Sequence, residues 1–426
     1  MRVLIVGSGG REHALAWKIH RSPLLDHLVA APGSAAIAEL ATCHPDIGAN
    51  DLNALVALAR SEAIDLVVIG PEDPLAAGLA DRLREIGIAV FGPSAAAAQL
   101  EGSKSFAKDF MQRHAIPTAA HASFEDLDAA LRYVRALGTR CVVKADGLAA
   151  GKGVAMCETV GDAERALQET MSDRRFGAAG ERVVVEEWLD GEEASYYAIS
   201  DGHAVVTLAA AQDHKRALDG DVGENTGGMG AYSPAPVFTD AVEKRVLEEI
   251  VYPTIRGMAA EGAPFQGVLF VGLMIDMSGV PRVVEFNVRF GDPETQPLMV
   301  RLQDDLLPLL RASAQGTLED GQTLRWGEAA TCVVMASGGY PRSYDTGVPI
   351  HGLSEAGDLE GVAIFHAGTR RGDDGVFVTA GGRVLGVTAS GESVAVSRER
   401  AYAAVDRIEF EGSHHRRDIA GRALRS

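Results

Sequence analysis

Three polar side chains near residue 285 are of the types that bind a metal ion and a phosphate. Glu285, Asn287 and Arg289 recur at every second position of the stretch EFNVR, so an extended chain places all three on one face. A carboxylate and an amide oxygen side by side suit magnesium, which needs one or two protein ligands when phosphates supply the rest. Arg289 would lie where charge gathers on a phosphoryl group in transfer. The pattern predicts Glu285 and Asn287 as metal ligands and Arg289 as a catalytic residue.

The neighbouring residues indicate how this stretch is positioned. Val283 and Val284 are β-branched and apolar, so the segment enters as a strand. GDPE follows as a turn that brings Asp292 and Glu294 close to the same place. A second strand is predicted over 266–276, immediately before it. The alternative interpretation is an edge strand with a solvated polar face and no chemistry.

Composition limits the class of protein. A chain of 426 residues, 46% of them hydrophobic, is expected to form several domains with packed cores. Its formal charge of −19 argues against a nucleic-acid surface, and it has no run of eighteen apolar residues that could cross a membrane. The four cysteines form no CxxC pair, which argues against a zinc site or a disulfide framework and favours the reduced cytoplasm.

Three domains are predicted, over residues 1–105, 106–325 and 326–426, with a nucleotide clamp at about 118–193. In the first, short apolar runs such as VLIV alternate with helical segments, which is typical of a doubly wound parallel sheet. Ligands of such sheets bind beyond the carboxyl ends of the strands, where GSGGREH, APGS and GPEDP occur. The last domain combines short strands with one amphipathic helix and is expected to be a small α+β lobe.

GSGG resembles part of a dinucleotide-binding fingerprint but does not complete it. The sixth position, which requires glycine for close helix packing, is Glu12. The second strand ends in AAP, without the acidic residue that would bind a ribose. An NAD-dependent dehydrogenase is therefore only a distant alternative. Glycines before a helix still favour an anion, so Gly9 and Arg11 are predicted to contact an anionic substrate; a purely structural turn is the alternative.

A second glycine-rich stretch, GLAAGKGV, follows a strand that places Lys144 at its end. The glycines let backbone amides approach phosphate oxygens, and Lys152 adds a mobile positive charge. The spacing from Gly147 to Gly151 is one residue short of a Walker loop, and Gly153 replaces the metal-binding Ser or Thr. The stretch is therefore interpreted as a phosphate-binding hairpin of another kind.

These motifs together resemble one enzyme family. RFGDPETQ, preceded by EFN, is similar to the signature of the phosphoribosylamine–glycine ligases (glycinamide ribonucleotide synthetases), ATP-grasp enzymes of purine synthesis. Further similar blocks follow the family's order: GSGGREHALAW, LEGSKSFAKDF, KADGLAAGKGV, EEWLDGEEAS, QDHKR and NTGGMGAYSPAP. The resemblance covers nearly the whole chain. It implies an α/β fold with an N-terminal doubly wound (pre-ATP-grasp) domain, an ATP-grasp core and a small C-terminal lobe.

The resemblance also implies a reaction, in which ATP drives ligation of glycine to 5-phosphoribosylamine through a glycyl phosphate. The products would be glycinamide ribonucleotide, ADP and phosphate, with Mg²⁺ or Mn²⁺ as the metal. A cytoplasmic monomer acting on these small molecules is expected, without nucleic-acid or membrane partners. Leu273 stands where relatives such as biotin carboxylase carry a second metal-binding glutamate, so one and two metal ions both stay open. Another ATP-grasp ligase or carboxylase, or a non-catalytic nucleotide-binding regulator, is the alternative.

Individual contacts follow from the same resemblance. The backbone at 186–189 would form the adenine hinge, and the irregular loop 212–236 would contribute to the pocket for glycine and phosphoribosylamine. The predicted ATP contacts are Lys104, Lys144, Gly151, Lys152, Gly153, Glu186, Glu187, Leu189 and Glu193. The predicted substrate contacts are Gly9, Arg11, Asn225, Thr226, Asp292, Pro293 and Thr295. The predicted catalytic residues are Arg289, Lys215 and Asp213.

Three further features are interpreted as structural or surface features without a role in the reaction. His214 and His366 are each favoured as structural residues over a role in chemistry. The charged run HHRR at 414–417 is predicted to be a solvated surface.

The glycine-rich loop 147–153 is predicted to close over the site when ATP binds, because glycyl phosphate hydrolyses readily in water. Mg·ATP should therefore slow both proteolysis and amide hydrogen exchange across residues 147–153. Protection that is the same with and without the nucleotide would contradict this motion.

Overall fold

The computed structural model describes residues 1–148, 153–175 and 177–425. Its described residues form an α/β protein with one parallel sheet, three antiparallel sheets of four or five strands, and two sheets of two strands. No helix among the described residues combines the length and the apolar character needed to cross a membrane.

The N-terminal part of the chain alternates short buried strands with helices. The elements are β1 (Arg2–Gly7), α1 (Gly10–Ile19), β2 (His27–Pro32), β3 (Thr42–Cys43), α2 (Leu52–Ser61), β4 (Leu66–Ile69), α3 (Glu72–Ala76), α4 (Leu79–Glu85), β5 (Ala89–Phe91) and α5 (Ala95–Gly102). The strands pair in parallel in the order β3-β2-β1-β4-β5. The doubly wound sheet predicted from the apolar runs is confirmed.

Two helix boundaries of this part follow from local contacts. Helix α1 begins at Gly10, where the Glu12 carboxylate accepts a hydrogen bond from the Gly9 amide and caps the helix start. Helices α3 and α4 are separated at Gly78, whose φ of +84° lies in the left-handed region.

The next part forms the clamp, a four-stranded antiparallel sheet in the order β6-β9-β7-β8. Its elements are α6 (Lys104–Arg113), β6 (His121–Phe124), α7 (Leu127–Leu137), β7 (Cys141–Ala145), β8 (Val154–Cys157), α8 (Val160–Leu167) and β9 (Val183–Glu187). Helices α7 and α8 cover one face, where Ala130, Val134 and Leu167 pack against the buried Val143 and Val185. The clamp therefore has a small apolar core of its own.

A second antiparallel sheet, in the order β11-β10-β16-β17, forms the centre of the molecule. Its elements and the helices around them are β10 (Glu192–Asp201), β11 (Val205–Thr207), α9 (Asp240–Val246), α10 (Tyr252–Ala260), β16 (Gln266–Ile275), β17 (Pro281–Asn287), α11 (Thr295–Arg301) and α12 (Leu306–Gln315). A π-helical turn at Leu247–Val251 separates α9 from α10. Pro253 follows this turn, in the first turn of α10, where a missing backbone N–H is tolerated.

The third sheet joins the C-terminal lobe to the segment 212–233. Its order is β12-β15-β18-β22-β19, and α14 packs on β18 and β22. The elements are β12 (Gln212–Asp213), β13 (Arg216–Leu218), β14 (Val222–Asn225), β15 (Gly230–Ser233), β18 (Ala329–Ala336), α13 (Leu353–Gly357), β19 (Val362–His366), β20 (Thr369–Arg371), β21 (Phe377–Thr379), β22 (Arg383–Gly391) and α14 (Val394–Val405).

The prediction that residues 212–236 contain no regular element is therefore wrong, because the segment holds four short strands. Strands β13 and β14 form a hairpin, whereas β12 and β15 join the third sheet. Glycine is required at Gly230, where an added Cβ would lie 2.7 Å from the Cys332 carbonyl oxygen. The glycines that suggested a loop here allow strands to approach each other closely.

The prediction that the run 414–417 is a solvated surface is also wrong at its centre. Arg416 is 1% exposed and forms ion pairs with Asp221 (2.9 Å) and Asp418 (2.7 Å). Its Nη1 also donates to the Arg216 carbonyl, 3.1 Å away. A buried guanidinium is stable only when its donors are paired, and the aspartates provide that pairing. Arg416 thus anchors the β13–β14 hairpin to the C-terminal segment.

Replacing Arg416 with methionine should destabilise the protein by about 2 kcal/mol, because two aspartates lose their partner but are themselves partly exposed to water. The thermal unfolding midpoint should fall by about 3 °C. The adjacent Arg417 is exposed, so Arg417→Met is the matched control and should leave the midpoint unchanged. Equal midpoints for the two variants would contradict the anchoring role.

Candidate active site

The edge strand β17 carries Glu285 and Asn287, and Arg289 follows it by two residues. The pairing of β16 with β17 shifts by one residue, since Gly272 pairs with Glu285 but Leu273 pairs with Val283. The unpaired residue of this bulge is Val284, and its carbonyl accepts a hydrogen bond from Lys144 Nζ at 3.0 Å. The end of β7 in the clamp is thereby fixed next to Glu285.

Glu285 lies in a strongly positive environment. Its Oε1 is 3.9 Å from Lys215 Nζ. Burial alone would raise the pKa of Glu285, but Lys215, Lys144, Lys104 and Arg289 together lower it to about 2. The carboxylate is therefore ionised at every physiological pH, as a metal ligand must be.

Asn287 and Arg289 lie together, as the alternation predicted. Arg289 Nη2 donates to Asn287 Oδ1 at 3.0 Å and forms an ion pair with Glu101 at 2.9 Å. Its Nε is 3.3 Å from Glu72. Burial alone would lower the pKa of Arg289, but Glu101 and Glu72 raise it above its ordinary value. The guanidinium is thus held in one orientation by carboxylates from the N-terminal part of the chain.

Glu72 and Glu101 belong to the site through Arg289, although neither was predicted from the sequence. Burial raises the pKa of Glu101 to about 7, with Arg289 opposing that rise. Glu72 lies in GPEDP, at the carboxyl end of β4, so its position beyond a parallel strand was the available signal. Glu101 lies near the end of the alanine-rich helix α5, where no local pattern indicates a functional role.

Lys215 and Asp213 lie on the other side of Glu285. The Lys215 ammonium forms an ion pair with Glu193. Burial alone would lower the pKa of Lys215, but Glu193, Asp213 and Glu285 raise it well above its ordinary value. Burial raises the pKa of Asp213 to about 8, against the opposing effect of Lys215. The pair offers a fixed cation beside a buried carboxyl group.

The predicted ATP contacts of the clamp surround the same strand. Lys104 Nζ donates to the Gly147 carbonyl at 3.1 Å, and the Gly153 carbonyl accepts from the Ala145 amide at 2.8 Å. Gly151 and Lys152 lie outside the described residues. Leu189 is buried and Glu187 is exposed, at the end of β9 where the adenine hinge was predicted.

The side chain of Glu186 points into the protein, where it pairs with two lysines. Its carboxylate lies 2.9 Å from both Lys144 and Lys108. Lys108 was not predicted from the sequence to lie at the site. It follows Lys104 by four residues, and that spacing on a helix was the signal that both lysines share a face.

Gly9 and Arg11 are already bound within the protein. The Gly9 amide donates to Glu12 Oε2 at 2.7 Å, and Arg11 Nε donates to Glu12 Oε1 at 2.6 Å. Arg11 Nη1 also donates to the Phe290 carbonyl at 3.0 Å. A Cβ added at Gly70 would lie 2.1 Å from Glu12 Oε1, so the carboxylate fills the glycine-lined turn. That turn has no space for a dinucleotide pyrophosphate.

The GDPE turn faces the loop that follows β14. Arg383 donates to the Asp292 carboxylate at 2.9 Å and to the Gly227 carbonyl at 2.6 Å. Pro293 packs so closely on Gly228 that an added Cβ there would lie 2.4 Å from Pro293 Cδ. Arg383 was not assigned from the sequence, and nothing in its local sequence GGRVL signals this contact.

The remaining predicted substrate contacts differ in their surroundings. The Thr226 hydroxyl donates to the Lys215 carbonyl at 2.9 Å, beside the site. Asn225 pairs with Arg216 in the β13–β14 hairpin. The Thr295 hydroxyl is buried and donates to the Gly291 carbonyl. The structure thus brings Thr226, Asp292 and Pro293 together and uses the Thr295 hydroxyl inside α11.

Both histidines considered from the sequence are buried. Burial lowers the pKa of His214 to about 3 and that of His366 to about 3. His366 Nδ1 is 3.0 Å from Thr369 Oγ1, and its backbone amide donates to His13 Nδ1 at 2.9 Å. Neutral, enclosed rings fit the structural role favoured for these residues.

A clamp with lysines facing a strand that bears a carboxylate and an amide is the arrangement of ATP-grasp proteins. The chain superposes on biotin carboxylase from Campylobacter jejuni with a TM-score of 0.75 at 15% identity, covering 97% of this chain and 92% of that one. At that identity the likeness shows the fold alone. A family model of an ATP-grasp (A) domain matches residues 102–295, and this match confirms the ATP-grasp class predicted from the sequence.

The family follows from closer matches. The phosphoribosylglycinamide synthetase N, ATP-grasp and C domain models match residues 1–101, 102–295 and 330–422. Phosphoribosylamine–glycine ligase of Agrobacterium fabrum is 55% identical over 424 residues, covering 100% of this chain and 99% of that protein. That of Escherichia coli K12 is 52% identical over 426 residues, with the same coverage. The Thermotoga maritima ligase structure superposes with a TM-score of 0.86 at 32% identity, covering 99% and 100% of the two chains. The chain belongs to the phosphoribosylglycinamide synthetase family, as predicted.

Replacing Arg289 with lysine should lower kcat by about 100-fold, because an ammonium keeps the charge but cannot contact Glu72, Glu101 and Asn287 together. ADP release under saturating substrates measures the change. Arg282 lies on β17, seven residues before Arg289, and its Nη1 is 3.4 Å from the exposed Glu187. Arg282→Lys is therefore the control and should change kcat less than twofold. Equal effects of the two substitutions would contradict the assignment of Arg289.

Proposed function

We propose that this chain ligates glycine to 5-phosphoribosylamine at the expense of ATP, giving glycinamide ribonucleotide, ADP and phosphate. The observation that carries the proposal is the convergence of Lys104, Lys144, Lys215 and Arg289 on the ionised Glu285. Family membership over the full chain supports the identity of the substrates, since the relatives are named for this reaction.

The clamp residues bind and orient ATP. Lys104 and Lys144 neutralise phosphate charge, and the backbone at 186–189 contacts the adenine edge. Glu193, which is paired with Lys215, accepts hydrogen bonds from the ribose hydroxyls. Gly151, Lys152 and Gly153 belong to the phosphate-binding loop.

Glu285 and Asn287 would hold a magnesium or manganese ion. Their donor set fits, because Glu285 is ionised and the Asn287 amide oxygen has a second lone pair besides the one that accepts from Arg289. When bound, the metal ion would neutralise phosphate charge. Leu273 is fully buried in the apolar core.

The reaction proceeds in two steps. The glycine carboxylate attacks the γ-phosphate in line, the bond from that phosphate to ADP breaks, and glycyl phosphate forms. The amine of phosphoribosylamine then attacks the glycyl carbonyl carbon, phosphate leaves, and the amine nitrogen loses a proton. Arg289 stabilises the charge of the transferring phosphoryl group, while Lys215 and Asp213 orient glycine.

The substrate pocket is formed where several parts of the chain meet. Thr226, Asp292 and Pro293 lie together at the GDPE turn. We assign Gly9, Arg11, Asn225 and Thr295 to the same pocket, with Gly9 and Arg11 acting through Glu12 rather than through free donors. The proposed unit is a cytoplasmic monomer with domains over 1–105, 106–325 and 326–426.

Purified protein should release phosphate from ATP only when glycine and phosphoribosylamine are both supplied. Glu285→Ala should lower kcat at least about 100-fold by removing the anion at the centre of the cation cluster. Glu248 has a side chain that is 63% exposed, so Glu248→Ala is the matched control and should keep full turnover.

Phosphate release with bicarbonate in place of glycine would instead indicate an ATP-grasp carboxylase. Full turnover by Glu285→Ala would overturn the assignment of the site. Binding of NADH in a fluorescence titration, without binding of Mg·ATP, would overturn the ATP-dependent class.

A further inference from the structure

Lys108 is a buried lysine with contacts that link two sheets. It lies on α6, one turn after Lys104, and is 2% exposed. Its Nζ donates to Thr118 Oγ1 at 2.8 Å and lies 2.9 Å from Glu186 Oε2. A lysine is rarely buried to this extent unless it is paired.

The contacts of Lys108 continue into a closed ring. Glu186 Oε1 lies 2.9 Å from Lys144 Nζ, which donates to the Val284 carbonyl at 3.0 Å. On the other side, Thr118 Oγ1 donates to the Val283 carbonyl at 2.7 Å. The ring of Lys108, Glu186, Lys144, residues 283–284 and Thr118 therefore joins α6, the clamp strands β7 and β9, and strand β17.

This ring contains more positive than negative charges. Two ammonium groups share one carboxylate, and the side chains of Lys108, Lys144 and Glu186 are at most 4% exposed. Burial alone would raise the pKa of Glu186, but Lys144 and Lys108 lower it, so the carboxylate is ionised. With Lys108 present the ring has one uncompensated positive charge. Without it, Glu186 and Lys144 would neutralise each other.

We propose that Lys108 is a positioning residue that compensates Glu186, so that Lys144 keeps its positive charge for the phosphates of ATP. Through Thr118 it also fixes strand β17, with Glu285 and Asn287, against the clamp. The inference rests on the proposed function only in taking ATP as the nucleotide. Lys108 contacts none of the reacting atoms and acts through Lys144.

Three variants of the full chain test the charge balance, with Mg·ATP binding measured by calorimetry. Lys108→Met should raise the ATP dissociation constant about tenfold, because Glu186 then neutralises Lys144. Glu186→Gln should lower it roughly threefold, since the ammonium loses its neutralising partner. The double variant Lys108→Met with Glu186→Gln should recover most of the lost affinity.

A merely structural role predicts a different pattern, in which every variant weakens binding and the double variant is the weakest. That pattern, or wild-type affinity in Lys108→Met, would overturn the inference. Lys244 is 73% exposed, so Lys244→Met is the matched control and should bind ATP normally. If Lys108→Met fails to fold, the signs of the effects in Glu186→Gln and in the double variant decide.

The ligation assay adds a second readout. In Lys108→Met, KM for ATP should rise by about the same factor as the dissociation constant, with kcat changed less than about threefold. A loss confined to kcat would contradict action through ATP binding. Because calorimetry needs neither glycine nor phosphoribosylamine, failure of the proposed ligation is distinguishable from failure of this inference.

Discussion

The site depends on pairing of buried charges around strand β17. The chain carries a formal charge of −19, so its overall field repels a triphosphate and only local cations can attract one. Burying those cations requires partners, because an unpaired charge in the interior is unstable. Glu186 supplies one for Lys144, Glu193 for Lys215, and Glu101 for Arg289. The carboxylates orient the cations before any nucleotide arrives, and such preorganisation favours phosphoryl transfer.

Strand β17 and the GDPE turn are where separate parts of the fold meet. The N-terminal part holds Arg289 through Glu72, and the clamp holds the Val284 carbonyl through Lys144. The C-terminal lobe holds Asp292 through Arg383. Because each contact ends on the same short stretch, a movement of any of these parts relative to the others would change the geometry of the site. The geometry of the site therefore depends on how all three parts of the fold pack around this stretch.

Positions of residues that depend on a local pattern could be predicted from the sequence. Positions that depend on contacts between distant parts of the chain could not. Alternation in EFNVR was sufficient to place Glu285 and Asn287 together, because strand geometry repeats every two residues, whereas Arg289 lies just beyond the end of β17. Arg416 looked like a surface residue because its partner Asp221 is 195 positions away. The segment 212–236 looked irregular since strands of two to four residues are too short to show a period.

The N-terminal glycines show that one local pattern can bind either an external anion or a carboxylate of the protein itself. Glycines before a helix create a concave site with free amides, and that site attracts an anion. In this chain the anion is the protein's own Glu12, whose carboxylate lies against Gly9 and Gly70 and caps α1. Arg11 pairs with Glu12 and is thereby directed at the Phe290 carbonyl, next to Arg289. The motif that resembles a dinucleotide loop therefore contacts the segment just after β17 through the salt bridge between Glu12 and Arg11. Its glycines are needed to make space for a carboxylate rather than for a phosphate.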